Sequence, residues 1–190
     1  MTAQIIRDEL VERCKKGDRR SYEQLYHKYS RAMYNTSLRI VGHRGDAEDV
    51  LQEAFTDAFR SLDDFNYKSS FGAWLKRIVI NKSINQLRKR KIDLVDIEKI
   101  DKDGALARSF PVDADEQTDE AGLRLKVAGI KKAVALLPPG YRTVLSLYLF
   151  EGYDQEEIAE ILGVAHATVR TQYMRAKQKL IQLLKQGELQ

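Results

Sequence analysis

The chain has 190 residues, of which 43% are hydrophobic and 32% are charged, and it contains only three prolines. This balance excludes an intrinsically disordered chain and predicts a folded, mainly helical protein of one domain or two small ones. The net charge of +4 favours a polyanionic partner, but the distribution of charge is more informative than the total.

The first residues argue against export. In "MTAQIIRDEL" acids stand where a signal peptide needs a basic stretch followed by an apolar one, and no apolar run approaches membrane-spanning length. We therefore expect a cytoplasmic protein without membrane insertion. Cys14 is the only cysteine, which excludes an internal disulfide, and we expect it to be a small core residue. The three histidines lie far apart, so we expect no metal site and no cofactor.

Two amphipathic helices are predicted near the amino terminus. The first has an apolar stripe, capped by Asp18 at its start and closed by Gly42. The second opens with Asp46 as its N-cap and runs through "DAEDVLQEAFTDAFRSL". The stripe of the first helix comprises Tyr22, Leu25, Tyr26, Tyr29 and Met33.

The second predicted helix also carries a row of acids. Asp46, Asp49, Glu53 and Asp57 step by three or four residues and therefore share one face. An ordinary solvated face, with acids in the first turn that suit the helix dipole, is the simpler interpretation. That interpretation explains Glu48 and Asp49 but hardly explains Asp57.

A further helix is predicted to start near Ser70. Residues 71–91 contain seven bases and no acid, and apolar residues fall on two sides of the helix, which indicates a helix packed between neighbours. The narrow free stripe mixes an aromatic ring, amides and guanidinium groups, a combination suited to nucleic acid. Trp74 taken alone is better explained as a core residue. The stripe comprises Trp74, Arg77, Asn81, Asn85 and Arg88.

Residues 93–120 differ in composition from both flanks. They hold ten acids and three bases, a balance of −7, which leaves +11 for the rest of the chain. With Pro111 and little helical periodicity, this segment is predicted to be a flexible acidic linker.

The charge changes sign abruptly in the last third of the chain. "EGYDQEEIAEILG", ending at Gly163, contains five acids and no base, whereas "GVAHATVRTQYMRAKQKL" contains four bases and no acid. Helices are predicted from about 142 to 150, from 155 to 162 and, after a tight turn, to about 184. A helix-turn-helix needs a small residue where its helices touch, a glycine in the turn and an apolar residue that packs the second helix against the first. These positions are occupied by Ala159, Gly163 and Val169.

The last of these helices has two predicted faces. Val169, Tyr173, Ala176, Leu180 and Leu183 face inward, whereas Thr168, Thr171, Gln172 and Arg175 point outward towards a major groove, with Arg170, Lys177 and Lys179 near phosphates. The sign change then has a cause, because the supporting helix faces away from DNA and the reading helix approaches a polyanion.

Four blocks together resemble one family. "GDRRSYEQLYHKY", "GDAEDVLQEAFTDAF", "SSFGAWLKRIVINKSINQLRKRK" and "LPPGYRTVLSLYLFEGYDQEEIAEILGVAHATVRTQYMRAKQKL" follow one another as in the extracytoplasmic-function sigma factors, the promoter-specificity subunits of bacterial RNA polymerase. The resemblance implies an all-α protein with two small helical domains. These are a sigma-2 domain over 1–92, a flexible acidic linker over 93–122 and a sigma-4 helix-turn-helix domain over 123–190.

The resemblance also implies roles for residues of the first domain. Asp46, Asp49, Gln52, Glu53 and Asp57 would contact core RNA polymerase. The loop "DDFNYKSS" would hold a flipped base of the minus-10 element and help to melt the promoter. The residues implied in minus-10 recognition are Phe65, Asn66, Tyr67, Trp74, Arg77, Asn81, Asn85 and Arg88.

In the second domain the resemblance implies contacts to the minus-35 element. Relatives usually have Ser or Pro at Ala165, Gly at Ala167 and often Arg at Gln172; Ala165 is a poor N-cap, and Gln172 favours adenine over guanine. The acidic linker would mimic nucleic acid in the polymerase channels, and an anti-sigma factor is an expected partner. The implied minus-35 residues are Thr168, Arg170, Thr171, Gln172, Arg175, Lys177 and Lys179.

Other classes of protein explain less of the chain. The sequence contains no phosphate-cradling glycine loop and no nucleophile elbow, so we expect neither an enzyme nor a small-molecule substrate. A stand-alone helix-turn-helix regulator accounts for the second half but not for the acidic row in the first. A helical scaffold or adaptor leaves the basic reading face unexplained.

Overall fold

The computed structural model describes residues 8–90 and 121–187. In these two ranges the chain forms eight α-helices, one short 3-10 helix and no strand, which confirms the predicted all-α class. The helices are α1 Glu9–Lys15, α2 Arg19–Val41, α3 Arg44–Arg60, α4 Phe71–Lys89, α5 Ala121–Ala135, α6 Pro139–Leu149, α7 Gln155–Leu162 and α8 His166–Gly187, with the 3-10 helix at Leu62–Asp64.

The chain divides into two compact units, residues 1–86 and 87–190, with the division inside the last turns of α4. This agrees with two small helical domains. The predicted linker residues 93–120 lie outside the described residues, so the domain bounds and the nature of the linker stay predictions.

Two of the three helix ends predicted in the first unit are confirmed. Asp18 accepts a hydrogen bond from the backbone N–H of Arg20, and Gly42 ends α2 with a left-handed φ of 70°, as predicted. The predicted N-cap of α3 is wrong. The cap is His43, whose Nδ1 accepts from the backbone N–H of Asp46 at 3.4 Å, so Asp46 lies in the first helical turn.

The core of the first unit is formed by α1, α2, α3 and α4. Leu25, Ile40, Ala54 and Leu75 are all 0% exposed, and burying a leucine or isoleucine side chain contributes about 1.5–3 kcal/mol. At the carboxyl-terminal half of α3 the aromatic rings of α2 complete the packing, with the Tyr22 and Phe59 ring centroids 4.9 Å apart and those of Tyr26 and Phe55 4.8 Å apart.

Helix α4 is buried on two sides, as its sequence predicts. Its start lies against α2, where a Cβ added to Gly72 would come within 2.8 Å of the Tyr29 ring, so glycine permits this close approach. Further along, the Ser83 hydroxyl donates to the Val79 carbonyl at 2.8 Å, and its oxygen lies 3.1 Å from Ser37 Oγ, whose hydroxyl can donate to it. The buried residues on its two sides are Phe71, Leu75 and Val79, and Ile80, Ile84 and Leu87, whereas Ile78 is half-buried.

The second unit contains the predicted short helix and tight turn. Helix α7 has the predicted bounds, starts with a capping box between Asp154 and Glu157, and ends at Gly163 with a φ of 65°. Helix α6 starts earlier than predicted, at Pro139. Proline is tolerated there because the backbone N–H groups of the first helical turn have no acceptor within the helix. The core between α5, α6 and α8 comprises Ala133, Val134, Leu137, Tyr141, Leu145, Ala176 and Leu180.

Candidate functional site

The acidic row on α3 lies at the surface. Every fourth residue from Val50 through Ala54 to Ala58 is buried, which leaves the opposite side of the helix exposed. We call four of the exposed residues of α3 the acidic stripe: Asp49, Gln52, Glu53 and Asp57.

Asp46 does not belong to the acidic stripe, contrary to the prediction. It is only 5% exposed, and its Oδ1 accepts a hydrogen bond from Gln86 Nε2 at 3.2 Å. The reason is its register, since Asp46 precedes Val50 by four residues and so continues the buried row. Its carboxylate joins α3 to α4 rather than facing a partner.

A lysine from α4 partly neutralises the acidic stripe. Lys82 Nζ lies 2.6 Å from Asp57 Oδ2 and 3.3 Å from Glu53 Oε2. The hydrogen bond to Asp57 raises the pKa of Lys82 above its usual value, with Glu53 as a further cause, so the lysine is charged at neutral pH. Within the described residues Asp49 has no ion-pair partner. Asp49 is therefore the carboxylate most available to a basic partner.

The predicted base pocket begins with a buried residue. Phe65 is 3% exposed, and its ring centroid lies 5.1 Å from that of Trp74 and 5.9 Å from that of Phe71. A side chain in this position supports the loop from beneath, so the prediction that Phe65 itself lines a pocket is wrong for this conformation. In the sequence, an apolar residue flanked by polar ones is compatible both with supporting the loop from beneath and with contacting a base.

The next two residues of the loop are accessible. Asn66 is exposed, and its Oδ1 accepts from the backbone N–H of Lys68 at 3.3 Å. Tyr67 is half-buried and has a φ of 60°, an uncommon conformation for a residue other than glycine. Its ring centroid is 4.7 Å from that of Phe65, and its hydroxyl donates to Glu12 Oε1. The loop thus presents an amide beside a fixed aromatic ring.

The polar stripe of α4 is exposed along most of its length. Trp74, at its start, is half-buried, with its ring centroid 5.7 Å from that of Phe71, so it combines a packing role with an accessible edge. We call the exposed remainder the α4 stripe: Arg77, Asn81, Asn85 and Arg88.

The helix-turn-helix geometry is present in the second unit. Ala159 is 6% exposed and Val169 is 0% exposed, and the left-handed Gly163 makes the turn between α7 and α8. The residues of α8 predicted to face inward are buried or half-buried. This packing fixes which side of α8 remains available.

Most of the predicted reading residues lie on that available side. Arg170, Thr171, Arg175 and Lys177 are exposed, whereas Thr168 and Lys179 are half-buried. The Thr171 hydroxyl donates to the Ala167 carbonyl at 2.9 Å, so its proton is used within the helix. These four exposed residues are called the α8 face below.

Gln172 does not point outward, contrary to the prediction. It is 4% exposed, because it follows Val169 by three residues and precedes Ala176 by four and so lies on their buried side. A direct contact between Gln172 and a base is wrong for this conformation. The preference for adenine that its amide suggested has no support in this geometry.

Sequence patterns missed three residues that shape these surfaces. In the sequence Lys82 is only one of the seven bases of residues 71–91, whereas in the structure it pairs with the acidic stripe. Glu12 and Lys15 lie on α1, which showed no functional pattern, yet both contact the loop after α3. Only the tertiary structure brings residues so distant in sequence together.

Among residues 8–90 and 121–187, no group of three acidic, histidine or cysteine side chains could hold a metal ion. In the same ranges, no helix combines the length and the apolar character that crossing a membrane requires.

Comparison with known sequences identifies both units. The sequence model of sigma-70 region 2 matches residues 25–92, and that of sigma-70 region 4 matches residues 129–180. The RNA polymerase sigma-H factor of Pseudomonas aeruginosa is 34% identical, with 95% of this chain and 94% of that protein covered. The ECF RNA polymerase sigma factor SigW of Bacillus subtilis is 31% identical, with 90% and 92% covered.

Solved structures give the same answer. The sigma factor RpoE of Bartonella quintana, in complex with the anti-sigma factor NepR, is 27% identical with a TM-score of 0.58, covering 86% of this chain and 96% of that one. CnrH, in complex with the cytosolic domain of CnrY, has a TM-score of 0.53 at 27% identity, covering 93% and 95%. The chain belongs to the extracytoplasmic-function (ECF) family of RNA polymerase sigma factors.

Proposed function

We propose that this sigma factor joins core RNA polymerase to promoter DNA through three surfaces with separate tasks. The acidic stripe docks on the polymerase, the loop at 65–67 with the α4 stripe recognises and melts the minus-10 element, and the α8 face recognises the minus-35 element. One observation carries the proposal: α3 carries a row of exposed acids, whereas α4 and α8 contain bases and amides and no acid.

The docking surface calls for a basic partner. Asp49 is exposed and unpaired within the described chain, and Glu53 and Asp57 are half-exposed although they contact Lys82. A basic surface of the polymerase must compete with this lysine for two of the three carboxylates. Such an interface is steered by charge and weakened by salt.

The minus-10 surface provides the chemistry needed to hold an unpaired base. Flipping a base out of a duplex costs a few kcal/mol, and stacking on an aromatic ring returns about 1–3 kcal/mol. Tyr67 supplies an accessible ring and Asn66 an exposed amide, with Phe65 supporting both from beneath. The α4 stripe then follows the strand with guanidinium and amide groups.

The minus-35 surface is smaller than the sequence predicts. Thr171 and Arg175 are exposed and are proposed to contact base edges, whereas the exposed Arg170 and Lys177 are proposed to contact phosphates. We assign Gln172 to the interior, so base selection at this element depends on the exposed residues of the α8 face.

As a sigma factor, the protein is proposed to act as an initiation factor rather than as an enzyme, because the polymerase carries out the chemistry of RNA synthesis. We also propose that it acts in the cytoplasm, together with the polymerase. The two related structures hold a partner chain, and we expect an anti-sigma factor to cover surfaces that the polymerase also uses. The linker charge of −7 suits a segment that occupies nucleic-acid channels.

A bridging experiment tests the proposal. The protein is mixed with core polymerase and a promoter fragment, and complexes are separated on a native gel. We expect the promoter fragment to enter a stable complex only when both the protein and core polymerase are present. Tight binding of the protein to DNA alone, with no effect of polymerase, indicates a stand-alone regulator and contradicts the proposal.

A further inference from the structure

Helix α1 makes two direct contacts with the loop that follows α3. Lys15 Nζ donates a hydrogen bond to the backbone carbonyl oxygen of Phe65 at 2.7 Å. The Tyr67 hydroxyl donates to Glu12 Oε1. Glu12 and Lys15 are three residues apart and therefore lie on the same side of α1. One short helix thus holds the residues on both sides of Asn66.

The ammonium group of Lys15 also lies near both aromatic rings of the loop. Lys15 Nζ is 5.2 Å from the ring centroid of Tyr67 and 5.9 Å from that of Phe65. Cations within about 6 Å of an aromatic centroid are attracted to the ring. Both Lys15 and Glu12 are half-buried, so their contacts are less screened than those of a fully exposed pair.

The loop has a conformation that needs such support. Tyr67 is the only residue other than glycine with a positive φ among residues 8–90 and 121–187. Residues held in this region persist where surrounding contacts fix them, and they cluster at ligand-binding sites. Asn66, between the two held residues, remains exposed.

We infer that Glu12 and Lys15 are positioning residues for minus-10 recognition: they hold the 65–67 loop in the shape that accepts an unpaired base. The inference rests on the proposed role of that loop. A loop ordered in advance does not lose conformational freedom when the base arrives, so binding of the open strand is favoured. Without these contacts the ordering must occur during base capture.

The test uses the full chain bound to core polymerase. The probes are single-stranded oligonucleotides that carry either the preferred minus-10 sequence of the wild-type protein or the same sequence with one substituted base. Lys15→Met removes the donor and keeps most of the aliphatic chain, and Lys15→Arg restores a donor. Lys16→Met is the matched control, because Lys16 is exposed and next to Lys15. Tyr67→Phe removes only the hydroxyl that donates to Glu12.

We expect Lys15→Met to reduce discrimination between the two oligonucleotides by about tenfold, the size of one lost charge-assisted hydrogen bond. Tyr67→Phe should reduce it less, and Lys15→Arg and Lys16→Met should discriminate like wild type. Affinity for core polymerase and minus-35 DNA should be unchanged in all four. Unchanged discrimination in Lys15→Met, or an equal loss of polymerase affinity, overturns the inference.

Failure of the proposed function looks different. If the wild-type complex shows no preference between the two oligonucleotides, the loop does not recognise the minus-10 element at all. If wild type discriminates and Lys15→Met does so equally, the loop recognises the element and only the role of α1 is refuted.

Discussion

Lys82 of α4 contacts Asp57 of α3, with 2.6 Å between Nζ and Oδ2. The lysine side chain is 22% exposed and the aspartate side chain 50% exposed, so water reaches the pair. Lys82 therefore lowers the negative charge of the acidic stripe while leaving its carboxylates accessible. A polymerase surface that binds these carboxylates must displace or tolerate this lysine.

The first prediction concerns this competition. Lys82→Gln should strengthen association with core polymerase, by up to about fivefold, because an exposed ion pair contributes about 1 kcal/mol or less. The measurement is a titration of labelled protein with core polymerase at low salt. Lys89→Gln, an exposed lysine at the end of the same helix, is the control and should have little effect. Weaker association of Lys82→Gln would show that the lysine helps docking.

The second prediction concerns the acidic stripe itself. Reversing Asp49 and Glu53 together to lysine should weaken association with core polymerase by at least about tenfold at low salt, since like charges then face each other. Glu23→Lys with Asp64→Lys gives the same change of net charge at exposed positions elsewhere in the first unit. Binding of minus-35 DNA by the isolated protein should stay unchanged. Equal polymerase affinity in both double variants argues against docking at the stripe.

The third prediction separates two residues of α8. Arg175→Ala should weaken minus-35 binding by about 1–3 kcal/mol if its side chain contacts a base. Gln172→Ala should instead lower the thermal unfolding temperature, because Gln172 is buried. Its effect on DNA binding should be equal for cognate and altered sequences. A change of sequence preference in Gln172→Ala would show that this residue turns outward on DNA.

The fourth prediction uses the buried thiol. Cys14 is 1% exposed, and burial raises the pKa of its thiol to about 11 from its ordinary value of 9.0. The folded state therefore favours the protonated thiol. The stability that the buried thiol contributes is complete below about pH 9. It is lost between about pH 9 and about pH 11, because the Cys14 thiol ionises at lower pH in the unfolded chain than in the folded one.

Denaturant titrations at pH 8 and pH 10.5 measure this loss, with Cys14→Ala as the reference. The wild-type free energy of unfolding should fall more than that of the variant over this interval. A thiol reagent at pH 8 should also label Cys14 slowly in the native protein and fast after unfolding. Fast labelling of the native protein is incompatible with the buried position.

Periodic patterns predicted the elements well because they depend on local spacing. Helix α7 has its predicted bounds, and Asp18, Gly42 and Gly163 act at the predicted helix ends. The apolar residues of α4 are buried on both predicted sides except for Ile78, which is half-buried. Each of these helix ends and buried faces is determined by residues within one or two helical turns of each other.

The predictions of site residues failed where they depended on which helix face is buried or on contacts between residues distant in sequence. Asp46 and Gln172 are polar residues in otherwise buried rows of their helices, so their polar character predicted the wrong face. Phe65 is buried because α4 folds back over it. The contacts of Glu12, Lys15 and Lys82 join residues that no sequence period connects.

The central claim is that this chain gives core polymerase the ability to choose promoters. Core polymerase is incubated with a library of randomised promoter fragments, with and without the protein, and the transcripts are sequenced from their 5′ ends. We expect initiation that requires the protein and that enriches two short elements one promoter spacing apart. Initiation that is equally weak and unselective with and without the protein would contradict the account.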